Sequence, residues 1–138
     1  MAYWLFKEEP SHYSFDDLVG DNKTVWAGIE NNLALIHLRN VTNGDCVFLY
    51  HTGDEKAVVG IMEVTKGCYQ DPKRNDPRLV VVDVKPVSKL ARPVTLAEIK
   101  ANRKFADFEL VKNSRLSVMP VTREQWAEIE RMARQKKG

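Results

Sequence analysis

The sequence predicts an α+β domain in which a sheet, curled toward a small mixed β-barrel, is flanked by helices. Apolar, β-branched segments typical of strands occur near both ends of the chain and in its middle. Helix-capping patterns lie between them, without the strict alternation of an α/β fold. A length of 138 residues suits one domain with one core. We therefore expect residues 1–138 to form a single domain.

The first third of the chain predicts a buried strand and two helices. Tyr3 to Phe6 form an aromatic and apolar segment typical of a buried strand. Ser14 is placed to cap a short helix, and Gly20 is expected to end it. A second helix is predicted from about Asn31 to Arg39. Its apolar residues at helical spacing are Leu33, Ile36 and the flanking Leu35 and Leu38.

The middle of the chain predicts a hairpin, a loop and a further strand. Cys46 to Tyr50 and Ala57 to Val64 are separated by a short polar turn, which favours an antiparallel pair. Residues 71–77 contain two prolines and are expected to form a surface loop. Leu79 to Val87 is the next predicted strand, and Pro86 indicates that it ends near a sheet edge.

The last third predicts two capped helices around a late strand. Thr95 and Thr122 each stand three residues before Glu or Gln, the spacing of a capping box. Leu116 to Val121 is predicted to be a strand. The final helix carries an apolar stripe of Trp126, Ile129 and Met132 or Ala133. The tail from Gln135 to Gly138 is expected to fray.

Composition limits the possible partners and locations. The formal net charge is only +2, so a nucleic-acid partner has to be held by a local basic rim and a specific pocket. Two cysteines are too few for a disulfide framework. No signal sequence and no apolar segment of membrane-spanning length is found. We expect a cytoplasmic protein with no membrane partner, most simply a monomer.

Signatures of catalysis and cofactor binding are missing. The chain has no GxGxxG, Walker, HExxH or GxSxG motif. Its three histidines and two cysteines lack the spacing of a zinc site, so we expect neither metal nor cofactor. Asp71 with Asp83 and Lys85 loosely resembles the acidic residue and D-x-K pair of a magnesium nuclease. A D-x-K triplet also arises by chance on the wet face of a strand, and this second interpretation is favoured.

Two short segments combine aromatic and polar residues near predicted strand ends. The first contains Trp26, Gly28 and Asn31, and the second contains Tyr50, His51 and Thr52. Aromatic faces stack on planar bases, neighbouring amides can recognise base edges, and glycine allows close approach. The alternative is that Trp26 and Tyr50 are core aromatics, which composition alone favours.

Ordered motifs over nearly the whole chain resemble the EVE domain family. The opening segment from Trp4 to Pro10, together with Tyr13-Ser14, is similar to the family's first strand. Trp26-Ala27-Gly28-Ile29 with Asn31 resembles its W-x-G-V-R-N segment. Further matches are Gly44-Asp45, Tyr50-His51-Thr52, Val59-Gly60-Ile61, Ser114 to Val118, Pro120-Val121 and Trp126. The chain is thus identified as a member of this family by resemblance.

The resemblance implies a PUA-like fold, similar to the YTH readers of methylated adenine, and a pocket for a modified nucleobase in DNA or RNA. By the same resemblance, the ligand-binding residues are Lys7, Trp26, Gly28, Asn31, Tyr50, His51, Thr52, Arg115, Leu116 and Ser117. Trp26 is expected to stack on the base, Asn31 and Thr52 to recognise its edge, and His51 to form a polar wall. Lys7 and Arg115 are expected to lie near phosphate.

The chain departs from the family pattern at three positions. Glu30 and Leu35 stand where arginines are common, which removes two possible phosphate contacts, and Thr52 replaces a serine. The leading hypothesis is therefore a non-catalytic reader of a modified base, with the base itself left open. The alternatives are an enzyme acting on nucleotides, either a magnesium nuclease or a modified-nucleotide hydrolase, and a small-metabolite binding module.

Overall fold

The computed structural model describes residues 1–135. Its strands are β1 Tyr3–Glu8, β2 Thr24–Trp26, β3 Cys46–His51, β4 Ala57–Gln70, β5 Val80–Thr95 and β6 Val118–Val121. Its α-helices are α1 Phe15–Asp21, α2 Asn32–Arg39, α3 Leu96–Lys100, α4 Glu109–Lys112 and α5 Arg123–Arg134, with a 3₁₀ turn at Arg103–Phe105. None of these helices is both long and apolar enough to cross a membrane.

The strands form one six-stranded mixed sheet in the order β2-β5-β4-β3-β1-β6. β1 runs parallel to β3, and the other neighbouring strands are antiparallel. The α+β class and the flanking helices are confirmed. The sheet does not close into a barrel, because β2 and β6 form its two edges and do not pair within residues 1–135.

Capping residues define the helix starts as predicted. Ser14, Thr95 and Thr122 each accept a hydrogen bond from the third backbone N–H of their helix. In return, the side chain of that third residue accepts a hydrogen bond from the backbone N–H of the cap. The predicted end of α1 is wrong: the helix continues through Gly20 to Asp21. Asn22 ends it instead, with a left-handed φ of 68°.

Helix α2 is rotated relative to its predicted apolar stripe. Ala34, Leu35 and Leu38 are buried, whereas Leu33 and Ile36 are 41% and 52% exposed. Five apolar residues lie in one short segment, so spacing alone cannot choose which of them face the core. The contacts of α2 with the sheet determine which of its apolar residues are buried.

Strand β5 is longer than predicted, and it continues past Pro86 to Thr95. A register shift lies between the pairs Ile61↔Ser88 and Met62↔Pro86, which accommodates a residue that has no N–H to donate. Pairing with β2 ends at Val84, so among the described residues β5 pairs with β4 alone around Pro86. The predicted hairpin is also confirmed as β3 and β4.

Aromatic side chains fill the core on both faces of the sheet. On one face, the Trp126 ring of α5 stacks on Phe48, with 3.6 Å between ring centroids, and lies 4.7 Å from Tyr3. On the other face, Phe15 of α1 packs directly against Gly60 of β4. After α5, the Gln135 carbonyl accepts a hydrogen bond from Arg92, and the rest of the predicted frayed tail lies outside the described residues.

Candidate functional site

Strand alternation divides the predicted pocket residues between the two faces of the sheet. β1 and β3 pair in register, so that Lys7 lies beside Tyr50 and Glu8 lies beside His51. Successive side chains of a strand point to opposite faces. Lys7 and Tyr50 therefore share one face, and Glu8 and His51 share the other.

Three of the predicted residues, Lys7, Tyr50 and Thr52, line a cavity of about 310 Å³, called here the Tyr50 cavity. The Lys7 ammonium donates to the Ser114 carbonyl at 2.9 Å and lies 5.7 Å from the Tyr50 ring centroid. Burial lowers the pKa of Lys7 and raises the pKa of Tyr50. The remaining lining residues are Gly53, Lys56, Leu96, Lys100, Leu110 and Ser114.

Trp26 lines a different cavity of about 180 Å³, called here the Trp26 cavity. Its lining residues are Glu8, Tyr13, Thr24, Val25, Trp26 and Ala27. Only 4% of Trp26 is exposed, and its ring centroid lies 5.7 Å from that of Phe6 and 6.4 Å from that of Tyr13. Trp26 is thus both a core aromatic and a cavity wall, so a ligand would have to enter the cavity to reach it.

The polar groups of the Trp26 cavity are held by local contacts. Glu8 accepts a hydrogen bond at Oε1 from the Glu9 backbone N–H at 3.1 Å. The Tyr13 hydroxyl donates to Asp21 at 2.8 Å, and burial together with this carboxylate raises the pKa of Tyr13. Glu8 is the carboxylate that lines the cavity. The arrangement combines two aromatic rings with one carboxylate.

His51 lies at a third cavity of about 440 Å³ and uses both ring nitrogens within the fold. Its Nε2 accepts the Phe15 backbone N–H at 3.1 Å, and its Nδ1 lies 2.7 Å from Glu55 Oε1. The hydrogen-bond pattern assigns the ring proton to Nδ1. His51 therefore positions the start of α1, a role that sequence reasoning did not predict.

Gly28 and Asn31 follow Trp26 but line none of these three cavities. Gly28 adopts a φ of 82°, where a side chain would be strained. Asn31 caps α2 by accepting the Ala34 backbone N–H at 3.0 Å. Between them, Glu30 pairs with Arg74 at 2.9 Å, so an arginine from the 71–77 loop lies beside the position where the family pattern has one.

The 115–117 segment stabilises the fold through a backbone hydrogen bond and a buried side chain. Arg115 is exposed, Leu116 is buried, and the Ser117 carbonyl accepts the Lys7 backbone N–H at 2.9 Å. In the Tyr50 cavity, Ser114 is the lining residue of this region.

The residues of the nuclease hypothesis take part in structural contacts. Asp83 accepts the Tyr69 hydroxyl at 2.5 Å, and Asp71 accepts the Lys73 backbone N–H at 2.9 Å. Lys85 pairs with Glu63 at 3.4 Å. Burial and Asp83 raise the pKa of Tyr69 to about 12. In the described part of the chain, no three His, Cys, Asp or Glu side chains lie close enough together to hold a metal ion.

Sequence reasoning missed several lining residues of both cavities. Glu8 and Tyr13 stand within the opening motif that carries the family resemblance, so that motif could have pointed to them. Lys56 and Lys100 reach the Tyr50 cavity only through the fold. No local sequence pattern indicates that these two lysines line a cavity.

Comparison with known proteins assigns the family. The EVE domain model matches residues 2–132, and the chain belongs to the EVE domain family. The structure of Rpa0253 from Rhodopseudomonas palustris is 41% identical, with a TM-score of 0.91, over 96% of this chain and 93% of that one. Thymocyte nuclear protein 1 of Homo sapiens is 28% identical over 91% of this chain and 71% of its own length.

A structure of human THYN1 has been solved in complex with DNA that contains 5-methylcytosine. It is 26% identical to this chain, with a TM-score of 0.90, and the match covers 99% of both chains. The PUA-like architecture implied by the sequence is confirmed by these relatives.

Proposed function

We propose that this chain is a non-catalytic reader of DNA that contains a modified cytosine, and that the base enters the Trp26 cavity. The observation that carries the proposal is the composition of that cavity: two aromatic rings, a carboxylate and a volume of about 180 Å³, suited to one planar ring. The human relative solved with 5-methylcytosine DNA supports the same ligand class.

The cavity offers a chemical match to the ring, the amino group and the methyl group of 5-methylcytosine. The rings of Trp26 and Tyr13 provide aromatic contact for a base that has left the duplex stack, a step that costs a few kcal/mol. Glu8 can accept a hydrogen bond from the N4 amino group, as carboxylates do when they recognise cytosine. Ala27 provides apolar contact for the 5-methyl group.

The near-neutral charge favours selective recognition over general attraction to DNA. A formal charge of +2 gives little long-range attraction to phosphates. Affinity then depends on the pocket and on a few local cations. RNA in place of DNA as the partner, a monomeric state and a cytoplasmic location remain predictions from the sequence.

Fluorescence anisotropy with two duplexes that differ only by methylation of one cytosine tests the proposal. We expect tighter binding to the methylated duplex, and we expect Glu8→Ala to weaken this binding by about 1–3 kcal/mol, the value of a good base contact. Glu124→Ala is the matched control, because it removes the same charge from an exposed position on α5.

Equal affinity of the wild-type protein for both duplexes would argue against modified-base recognition. A methyl preference that Glu8→Ala leaves intact would remove Glu8 from the site. Circular dichroism of each variant establishes that the fold is retained.

A further inference from the structure

Three lysines from distant parts of the chain converge on the Tyr50 cavity. Lys7 comes from β1, Lys56 from the connection between β3 and β4, and Lys100 from the last position of α3. Apart from the Tyr50 phenol, every titratable side chain that lines the cavity is a lysine. The cavity is therefore positively charged at neutral pH.

These lysines differ from several others in their lack of ion pairs. Lys85, Lys89 and Lys104 each have a carboxylate within 4.0 Å. Among the ion pairs of residues 1–135, none involves the three cavity lysines. The carboxylate of Glu9 reaches the edge of the cavity, where it accepts the Thr52 hydroxyl at 3.5 Å, but it pairs with none of them.

The Lys7 ammonium is held at the cavity in a half-buried position. Its hydrogen bond goes to a neutral carbonyl, that of Ser114. Partial burial removes hydration and lowers the pKa of Lys7 without an opposite charge nearby to compensate. An anion bound in the cavity would supply that compensation.

Lys56 is fixed at the rim by an unusual backbone conformation. Its φ of 45° lies in the left-handed region, which is uncommon for a residue other than glycine. The Lys56 carbonyl accepts the Leu96 N–H at 2.8 Å and so ties the turn to the start of α3. The surrounding fold thus maintains a strained residue whose side chain lines the cavity.

We propose that the Tyr50 cavity is a phosphate-binding site for a nucleotide. The ammonium groups of Lys7, Lys56 and Lys100 would contact the phosphate oxygens, which offer several acceptors to several donors. Tyr50, Leu96 and Leu110 provide an apolar floor for the rest of the ligand. The site lies on the opposite face of the sheet from the Trp26 cavity and does not depend on base recognition there.

The phosphate can belong to a free mononucleotide or to a nucleic-acid backbone, and titration calorimetry distinguishes the two. The first arm compares adenosine monophosphate with adenosine, which lacks the phosphate. If the natural ligand is a free mononucleotide, the wild-type protein binds adenosine monophosphate more tightly than adenosine. The double variant Lys56→Gln/Lys100→Gln should then bind it at least about tenfold more weakly, the effect of one charge-assisted hydrogen bond.

The second arm measures the affinity of an unmodified oligonucleotide at several salt concentrations. If the phosphate belongs to a backbone, the monophosphate binds weakly or not at all. The double variant then lowers the oligonucleotide affinity and reduces the salt slope by about 1 for each lysine that no longer neutralises a phosphate. Lys85→Gln/Lys89→Gln is the control, since it removes the same charge from positions outside the Tyr50 cavity.

Monophosphate and oligonucleotide affinities that are unchanged in the Lys56→Gln/Lys100→Gln variant would overturn the proposal. An equal weakening in the control variant would overturn it as well, because it would reflect net charge. Neither ligand carries 5-methylcytosine, so a negative result in these titrations does not bear on base recognition in the Trp26 cavity. Likewise, equal binding of methylated and unmethylated duplexes does not bear on phosphate binding in the Tyr50 cavity.

Discussion

At the scale of single residues, Gly60 shows how close the packing between α1 and the sheet is. A Cβ atom at this position would lie 2.5 to 2.9 Å from three ring atoms of Phe15. Phe15 is buried and begins α1, whose first backbone N–H is held by His51. The ring therefore cannot move away without shifting the helix. A glycine is needed here for space.

Gly60→Ala should destabilise the protein by about 1–3 kcal/mol, the usual cost of overpacking a core. Urea unfolding monitored by circular dichroism measures the change. Gly20→Ala is the matched control, because Gly20 lies within α1 and a Cβ atom there meets nothing within 4 Å. That variant should be neutral or slightly stabilising, and equal destabilisation of both variants would contradict the packing argument.

At the scale of elements, Glu128 joins α5 to the segment that follows α3. Its buried carboxylate accepts hydrogen bonds from Arg131 at 2.7 and 2.8 Å and from Asn102 at 2.6 Å, and Lys104 lies 3.6 Å away. The hydrogen bonds from Arg131, followed by that of Asn102, hold the pKa of Glu128 at about 2. The charged form of this group stabilises the docking of α5.

Glu128→Gln should lower the free energy of unfolding at pH 7 by up to about 3 kcal/mol. The folded-state pKa is depressed, so the contribution of Glu128 is fully present above the unfolded value near 4.5 and is lost as pH falls toward 2. In urea titrations, the difference in the free energy of unfolding between wild type and variant should therefore shrink as pH falls from 4.5 toward 2. A constant difference from pH 7 to pH 2.5 would contradict this, and Glu124→Gln on the exposed side of α5 is the control.

Helix starts could be predicted from sequence, whereas helix faces and ends could not. The caps at Ser14, Thr95 and Thr122 depend on residues three positions apart, which a sequence displays directly. The buried side of α2 and the extension of β5 past Pro86 depend on contacts with distant strands. Local patterns do not contain that information.

At the scale of the whole molecule, the sheet separates residues that the sequence suggested would form one pocket. Tyr50 and His51 are adjacent in β3 and so must face opposite sides, a consequence of strand alternation that the sequence already implied. The association of Trp26 with Glu8 and Tyr13, and of Tyr50 with Lys100, required the fold. The sequence singled out Trp26 and Tyr50, whereas most of the residues that line the cavities with them did not stand out in it.

The two cavities make different physical demands on a ligand. The Trp26 cavity is small and has aromatic walls and one carboxylate, which suits a base. The Tyr50 cavity is larger and carries three lysines, which suits a phosphate. A modified base should therefore contact the face that carries Glu8.

The most direct test of this account is an NMR measurement on a duplex whose 5-methylcytosine carries a ¹³C-labelled methyl group. On binding, the methyl resonance should shift and show nuclear Overhauser contacts to the methyl protons of Ala27 and to the ring protons of Trp26. A methyl group that keeps its duplex shift, or one that contacts the ring of Tyr50 instead, would contradict the assignment of the Trp26 cavity as the base-binding site.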